Sequence, residues 1–124
     1  MLTTDLYSFE ITGHEIGHEI SASISVNENS PVYAGHFPGF PVTPGVCQVL
    51  MIKEILVELL GTPLQLSKAR DIKFNNLHEP GKAKTIQTRI KYEMDEKRII
   101  HVNAQLFEGN TKYLSFKGEF IEHE

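Results

Sequence analysis

Tryptophan is absent from this 124-residue chain, and cysteine occurs once, at Cys47. A single cysteine cannot form a disulfide within the chain, and the N-terminus lacks the basic stretch and long apolar run of a signal peptide. A reducing, cytoplasmic setting is therefore expected. Sixteen acidic and twelve basic residues give a formal net charge of −4, which argues against a general nucleic-acid binder. No linker or low-complexity tract divides the sequence, so residues 1–124 are expected to form one domain.

The longest apolar run predicts a buried helix that begins near Thr43 and ends at Gly61. Thr43 is a favourable N-cap, Pro44 suits the first helical position and Gly45 would be the second helical residue. The run between them is broken only by a thin polar stripe: Gln48, Lys53, Glu54 and Glu58. About 17 residues at roughly 1.5 Å each give a rod too short and too charged to span a membrane. We therefore expect a core helix.

Gly45 also has a chemical implication. The N–H groups in the first turn of a helix have no partner within the helix, and a residue without a Cβ lets a ligand approach the backbone closely. Such an N–H can stabilise an oxyanion, although the Thr43 hydroxyl is an alternative acceptor for it. Cys47, two residues on, is expected to be a small core residue rather than a nucleophile.

Alternating apolar and polar residues predict a series of strands. They cover Tyr7–Ile11, Ile20–Asn27, Leu66–Phe74, Ile86–Tyr92, Ile100–Leu106 and Leu114–Phe120. The segments Asp95–Lys97 and Glu108–Asn110 are typical of hairpin connections, and Asn75–Gly81 of a loop. One long apolar helix with strands before and after it predicts an α+β fold, an antiparallel sheet wrapped around a central helix.

The segment His14–His18 matches the H-E-x-x-H pattern of zinc proteases, which requires a helix to place both histidines beside one metal ion. Gly13 and Gly17 disfavour a helix here, and a strand pattern follows directly. On a strand, residues four apart lie roughly 13 Å from each other. We therefore expect an exposed strand or bulge and no metal site.

His36 is a better candidate for chemistry, because it lies between Gly35 and a Phe-Pro-Gly turn in a segment stiffened by three prolines. Histidine can accept or donate a proton near neutral pH. The alternative is a histidine that only hydrogen-bonds to the loop backbone.

The segment Gly35–Val46 reads G-H-F-P-G-F-P-V-T-P-G-V and resembles the signature of the 3-hydroxyacyl-acyl-carrier-protein dehydratases of the hotdog fold. The order of strands, loop and long helix is similar to that family over most of the chain. The resemblance implies a dimer of paired sheets with an acyl tunnel at its interface. It implies no metal or redox cofactor.

Site roles follow from the resemblance residue by residue. His36 would remove the α-proton of a thioester, and the Gly45 N–H would polarise its carbonyl. Contacts with the substrate are implied for Phe37, Pro38, Gly39, Val46 and Leu50. The family places an acidic residue at the position of Leu50, so the acid that protonates the departing hydroxyl is missing here.

Three substitutes for that acid stay open. Glu54 lies one turn further along the same helix face, about 6 Å away along the axis. His36 could return the proton itself, or a partner subunit of different sequence could supply a carboxylate. The alternative functions are a non-catalytic acyl-binding subunit or heterodimer partner, and an acyl thioesterase that would use Glu54 and water.

The expected substrate is an acyl thioester, most simply on acyl carrier protein, in fatty-acid, lipid or polyene biosynthesis. Because a carrier protein is acidic, its docking site should be locally basic. The densest basic region comprises Lys68, Arg70, Lys73, Lys82 and Lys84. A homodimer or a higher oligomer of dimers is expected, with a heterodimer as the alternative.

Overall fold

The computed structural model of the protein describes residues 6–34 and 41–123. Within these residues, two strands are followed by two helices and then by four more strands. The strands are β1 (Tyr7–Glu15), β2 (Glu19–Val26), β3 (Leu64–Phe74), β4 (Thr85–Met94), β5 (Ile100–Glu108) and β6 (Thr111–Glu122), and the helices are α1 (Pro31–Ala34) and α2 (Gly45–Leu60).

The strands form one antiparallel sheet in the order β1-β2-β4-β5-β6-β3. All six predicted strands are confirmed, with β1 extending to Glu15 and β3 starting at Leu64. The single-turn helix α1 was not predicted, because four residues are too few for a periodic signal. Pro31 nevertheless suits its first position.

The core lies between α2 and one face of the sheet. Met51, Ile52, Ile55 and Leu56 of α2 are fully buried and join the apolar side chains of the strands in one cluster. Along β4, for example, buried residues alternate with more exposed ones, as expected for a sheet with one solvated face. The predicted α+β arrangement is confirmed. Among the described helices, none combines the length and hydrophobicity that crossing a bilayer requires.

The start of α2 differs from the prediction. Pro44 occupies the N-cap position with extended backbone angles, and Gly45 is the first helical residue instead of the second. Thr43 makes no cap hydrogen bond, because its buried side chain is turned toward Tyr33 and His78. At the other end, Gly61 adopts a left-handed conformation and its N–H bonds to the Val57 carbonyl, as predicted for a glycine C-cap.

Strand β3 is an open edge of the sheet. It pairs with β6 on one side, and in the described part of the chain no strand covers its other side. Nine of its eleven residues are exposed, including Leu66 and the terminal Phe74. A long edge with unpaired backbone groups and exposed apolar side chains is a site where another strand can add.

Candidate functional site

The first turn of α2 begins at a glycine, Gly45, and presents backbone N–H donors. A Cβ built on Gly45 would lie 2.5 Å and 2.8 Å from the ring carbons Cζ and Cε1 of Phe74, so the ring packs directly on the glycine. The described residues offer no acceptor to the Gly45 N–H. Because the positive end of the helix dipole lies here, the N–H can donate to the oxygen of a ligand.

Thr43, directly before this turn, belongs to a buried chain of hydrogen bonds. Its Oγ1 lies 2.8 Å from the Tyr33 hydroxyl and 2.6 Å from Nδ1 of His78. The other ring nitrogen of His78 lies 2.7 Å from the Ala83 carbonyl oxygen. The sequence did not single out His78 or Tyr33, since neither belongs to a motif and only the folded chain brings them to Thr43.

His78 is fully buried, and this burial lowers its pKa below the ordinary value of 6.5, against a smaller opposing effect of its bond to Ala83. The folded protein therefore favours neutral His78. We expect its contribution to the free energy of unfolding to be complete above about pH 7 and to fall below about pH 6.5, by at most about 1.4 kcal/mol per pH unit. Urea unfolding between pH 7.5 and 5 measures this slope.

The control for that slope is His78→Asn, which removes the ring and should flatten the curve across this window. Asp95 and Glu122 also have lowered pKa values, caused first by bonds to His101 and Arg98 respectively. Their contributions are lost only below about pH 4.5. A slope between pH 7.5 and 5 that persists unchanged in His78→Asn contradicts the assignment to His78.

On α2, Leu50 and Glu54 lie one turn apart on the same side, and both are half-buried. Among the described residues, no cation lies within ion-pair distance of the Glu54 carboxylate. Burial raises the pKa of the Tyr7 phenol, and the Glu54 charge adds to this effect, so Glu54 lies near that phenol. The Tyr7 hydroxyl is buried and has no hydrogen-bond partner among the described residues. Val46 is 77% exposed, which leaves an apolar side chain beside Gly45 open to a ligand or a partner.

Cys47 and Gln48 face inward from the first turn of α2. Cys47 is buried and burial raises the pKa of its thiol, as expected for a core residue. Gln48 donates from Nε2 to the Thr43 carbonyl oxygen at 3.2 Å. Its Oε1 is buried without a partner among the described residues.

Four of the predicted site residues, His36, Phe37, Pro38 and Gly39, lie outside the described residues. The structure does describe the two ends of this segment, at Tyr33 and Thr43, which are joined by the hydrogen bond between their side chains. The roles assigned to these four residues therefore stay predictions.

The H-E-x-x-H segment is not helical. His14 lies in β1, and His18 follows the turn at Gly17, whose φ is 80°. Nε2 of His14 lies 2.7 Å from the Tyr92 hydroxyl, which also accepts a bond from the Gly17 N–H at 2.9 Å. The strand interpretation is confirmed, and the described residues contain no group of three side chains arranged to hold a metal ion.

The predicted basic region is largely neutralised by acidic neighbours. Arg70 pairs with Glu119, Lys73 with Asp71, Lys82 with Glu79 and Lys84 with Glu28. Of the five basic residues, Lys68 alone forms no ion pair with a described residue. A cleft of about 610 Å³ opens on the solvated face of the sheet and borders this region at Arg70; its lining includes both acidic and basic side chains but no residue of α2. Neither feature is a strongly basic surface.

Comparison with known proteins places the chain among dehydratases. The sequence model of the ApeI-like family, described as ApeI dehydratase, matches residues 12–115. A 3-hydroxyacyl-[acyl-carrier-protein] dehydratase FabZ from Rickettsia canadensis is 28% identical over 96 residues, which cover 68% of this chain and 67% of that protein. The FabZ of Thiobacillus denitrificans is 40% identical over 52 residues, covering 42% and 33% respectively. The chain thus spans about one third to two thirds of the length of these relatives.

Solved structures share the fold. The dehydratase heterocomplex ApeI:P from Xenorhabdus doucetiae aligns with a TM-score of 0.68 at 21% identity, covering 93% of this chain and 99% of that one. The PaaI protein of Escherichia coli aligns with a TM-score of 0.64 at 12% identity, covering 94% and 80%. These alignments confirm the predicted hotdog fold. Since the family model covers most of the sequence, the chain belongs to the ApeI-like family of dehydratases.

Proposed function

We propose that this hotdog protein removes water from 3-hydroxyacyl thioesters carried on acyl carrier protein and yields trans-2-enoyl thioesters. The observation that carries the proposal is the Gly45 N–H, which has no acceptor among the described residues and lies at the positive end of α2. It directly follows the segment that contains His36. Membership of a dehydratase family supports the same reaction class.

In the proposed mechanism, His36 takes the proton from the carbon next to the thioester carbonyl. Negative charge then develops on the carbonyl oxygen, where the Gly45 N–H and the helix dipole stabilise it. The electron pair of the broken C–H bond forms the new C=C bond as the 3-hydroxyl departs. That hydroxyl needs a proton to leave as water, and Leu50 cannot supply one.

We propose Glu54 as the donor of this proton. It lies one turn beyond Leu50 and is half-buried, and its carboxylate forms no ion pair with a described residue. The charge of Glu54 acts on the Tyr7 phenol, which has no hydrogen-bond partner among the described residues. A partner subunit that provides the carboxylate is the second candidate, and the fold shared with a dehydratase heterocomplex favours it. Proton return by His36 itself is the third.

Glu54→Gln is expected to reduce kcat by about 10²-fold or more, because an amide cannot deliver the proton and general acid catalysis typically contributes this much. The matched control is Glu58→Gln, which makes the same change one turn further along α2 at an exposed position. Size-exclusion chromatography checks that both variants keep the wild-type oligomeric state. Full activity in Glu54→Gln would exclude Glu54 as the proton donor and leave the partner subunit or His36 as the candidates.

We further propose that the protein works as a dimer joined at the open edge of β3. The unpaired backbone of this strand and the exposed side chains of Leu66 and Phe74 support this edge as the interface. Phe74 contacts Gly45, so a partner there would also border the proposed site. The acyl tunnel would then run between the two subunits.

Two other functions are each favoured by one observation. A non-catalytic acyl-binding subunit is favoured by Leu50 at the position of the family's acid. An acyl thioesterase would use Glu54 to activate water, and the fold shared with a putative thioesterase from Shewanella oneidensis, with a TM-score of 0.55 at 12% identity, is compatible with it, but it assigns no role to His36.

One experiment separates the three functions. The purified protein is incubated with a 3-hydroxyacyl thioester on acyl carrier protein, and the carrier is followed by intact-mass spectrometry. Loss of one water supports the dehydratase, and loss of the whole acyl group supports the thioesterase. An unchanged mass, in an assay where a known dehydratase is active, supports the binding subunit and contradicts our proposal for the chain acting alone.

A further inference from the structure

In the hydrogen bonds around Thr43, the donor and the acceptor of each bond can be assigned. The Ala83 carbonyl can only accept, so Nε2 of His78 donates to it. Neutral imidazole has one N–H, which makes Nδ1 of His78 an acceptor. Thr43 must therefore donate its hydroxyl hydrogen to Nδ1, and the Tyr33 hydroxyl must donate to the Thr43 oxygen. Burial lowers the pKa of His78, in agreement with the neutral ring that this assignment requires.

Thr43 is also held through its backbone. Its N–H donates to the His78 carbonyl at 2.9 Å, and its own carbonyl accepts from Gln48 at 3.2 Å. Every polar group of this residue thus has a partner, and the residue is buried, with an exposure of 3%. The two bonds of the hydroxyl, to Tyr33 and to His78, fix its orientation.

This orientation matters because of where Thr43 lies in the sequence. A threonine hydroxyl readily accepts a bond from the N–H two residues on, and for Thr43 that N–H belongs to Gly45. Such a bond would occupy the donor that the proposed mechanism needs. Among the described residues this bond is not made: Thr43 Oγ1 is bonded to the Tyr33 hydroxyl and to Nδ1 of His78 instead, and these two bonds together fix the rotamer of the side chain.

We propose that His78 and Tyr33 are positioning residues that hold the Thr43 hydroxyl away from α2 and so keep the Gly45 N–H available to a thioester carbonyl. The inference rests on the proposed function. This role differs from a purely structural one in one respect. While the Thr43 hydroxyl is bonded to His78 it does not affect catalysis, but without that bond it accepts the Gly45 N–H and inhibits the reaction. Removing the hydroxyl should then correct the effect of losing His78.

The test combines substitutions at both positions. His78→Gln preserves a donor for the Ala83 carbonyl but leaves Thr43 without its acceptor, and we expect kcat/KM to fall about tenfold, the worth of one competing hydrogen bond. Thr43→Val has nearly the same shape and no hydroxyl, so it should lose stability but keep kcat/KM within about twofold. The double variant should recover the kcat/KM of Thr43→Val. His78→Asn, which keeps an acceptor near the position of Nδ1, is the matched control and should stay close to the wild type.

Amide hydrogen exchange gives a readout that does not depend on activity. In His78→Gln, the released Thr43 hydroxyl should slow exchange of the Gly45 N–H relative to the wild type, and this protection should disappear in the double variant. A Thr43→Val variant that is folded but inactive would overturn the inference, as would a double variant no better than His78→Gln. If His78→Gln does not fold, the inference is tested with His78→Asn alone. A folded His78→Asn protein with strongly reduced kcat/KM would then overturn the inference. If the wild type dehydrates no 3-hydroxyacyl thioester, the proposed function itself is wrong. If the Gly45 N–H exchanges at an unchanged rate in folded His78→Gln, only this inference is wrong.

Discussion

His36→Ala is expected to lower the rate of dehydration by about 10²- to 10⁴-fold, the usual contribution of a positioned general base. Alanine cannot accept the α-proton. Among the described histidines, His78 alone hydrogen-bonds to a residue next to the start of α2, and it is buried and bonded to both Thr43 and Ala83. The measurement is kcat/KM for a 3-hydroxyacyl carrier-protein thioester, with the enoyl product followed by mass spectrometry.

His18→Ala is the matched control for this variant. His18 is an exposed histidine near the turn between β1 and β2, and its removal should leave activity within about twofold of the wild type, as for most surface substitutions. Circular dichroism and thermal unfolding verify that both variants are folded. A folded His36→Ala protein that dehydrates at the wild-type rate would mean that another group is the base.

Gly45→Ala is expected to reduce kcat/KM by about 10²-fold, because a methyl group at this position obstructs the approach of a carbonyl oxygen to the N–H donors of α2. Loss of one oxyanion donor typically costs about 10²- to 10³-fold. The methyl group would also collide with Phe74, whose ring carbon Cζ lies 2.5 Å from the position of the new Cβ. Activity alone therefore does not distinguish obstruction of the substrate from displacement of the ring.

The double variant Gly45→Ala/Phe74→Ala separates these two effects. Phe74 is 54% exposed, so its truncation removes the collision at modest cost to the fold, and Phe74→Ala alone serves as the reference. If the glycine is needed for approach of the carbonyl, the double variant stays about 10²-fold below Phe74→Ala. Recovery to the level of Phe74→Ala would show that the glycine only makes room for the ring, and would contradict the role of Gly45 in binding the carbonyl.

The sequence predicted the elements of the fold well because the signals were local. Alternation along β4 and β5 and the apolar run of α2 each fix an element without reference to distant residues. The glycine that ends α2, Gly61, was recognised for the same reason. The H-E-x-x-H pattern could be set aside because Gly13 and Gly17 opposed the helix that a zinc site needs.

The errors arose where distant residues decide the outcome. Thr43 has the right side chain and position for an N-cap, and only its buried bonds to Tyr33 and His78 redirect it. The partners in these bonds are 10 and 35 residues away, beyond the reach of any local pattern. The ion pair of Arg70 with Glu119, on a different strand, is likewise outside any local pattern, whereas Lys73 pairs with Asp71 two residues away.

The open edge of β3 has a consequence for how stability is defined in this protein. If two copies pair along that edge, part of the free energy that keeps each chain folded comes from its partner, and by mass action it grows with protein concentration. A dilute sample would then unfold at a lower temperature than a concentrated one of the same sequence. The free energy of unfolding would then have a defined value only at a stated protein concentration.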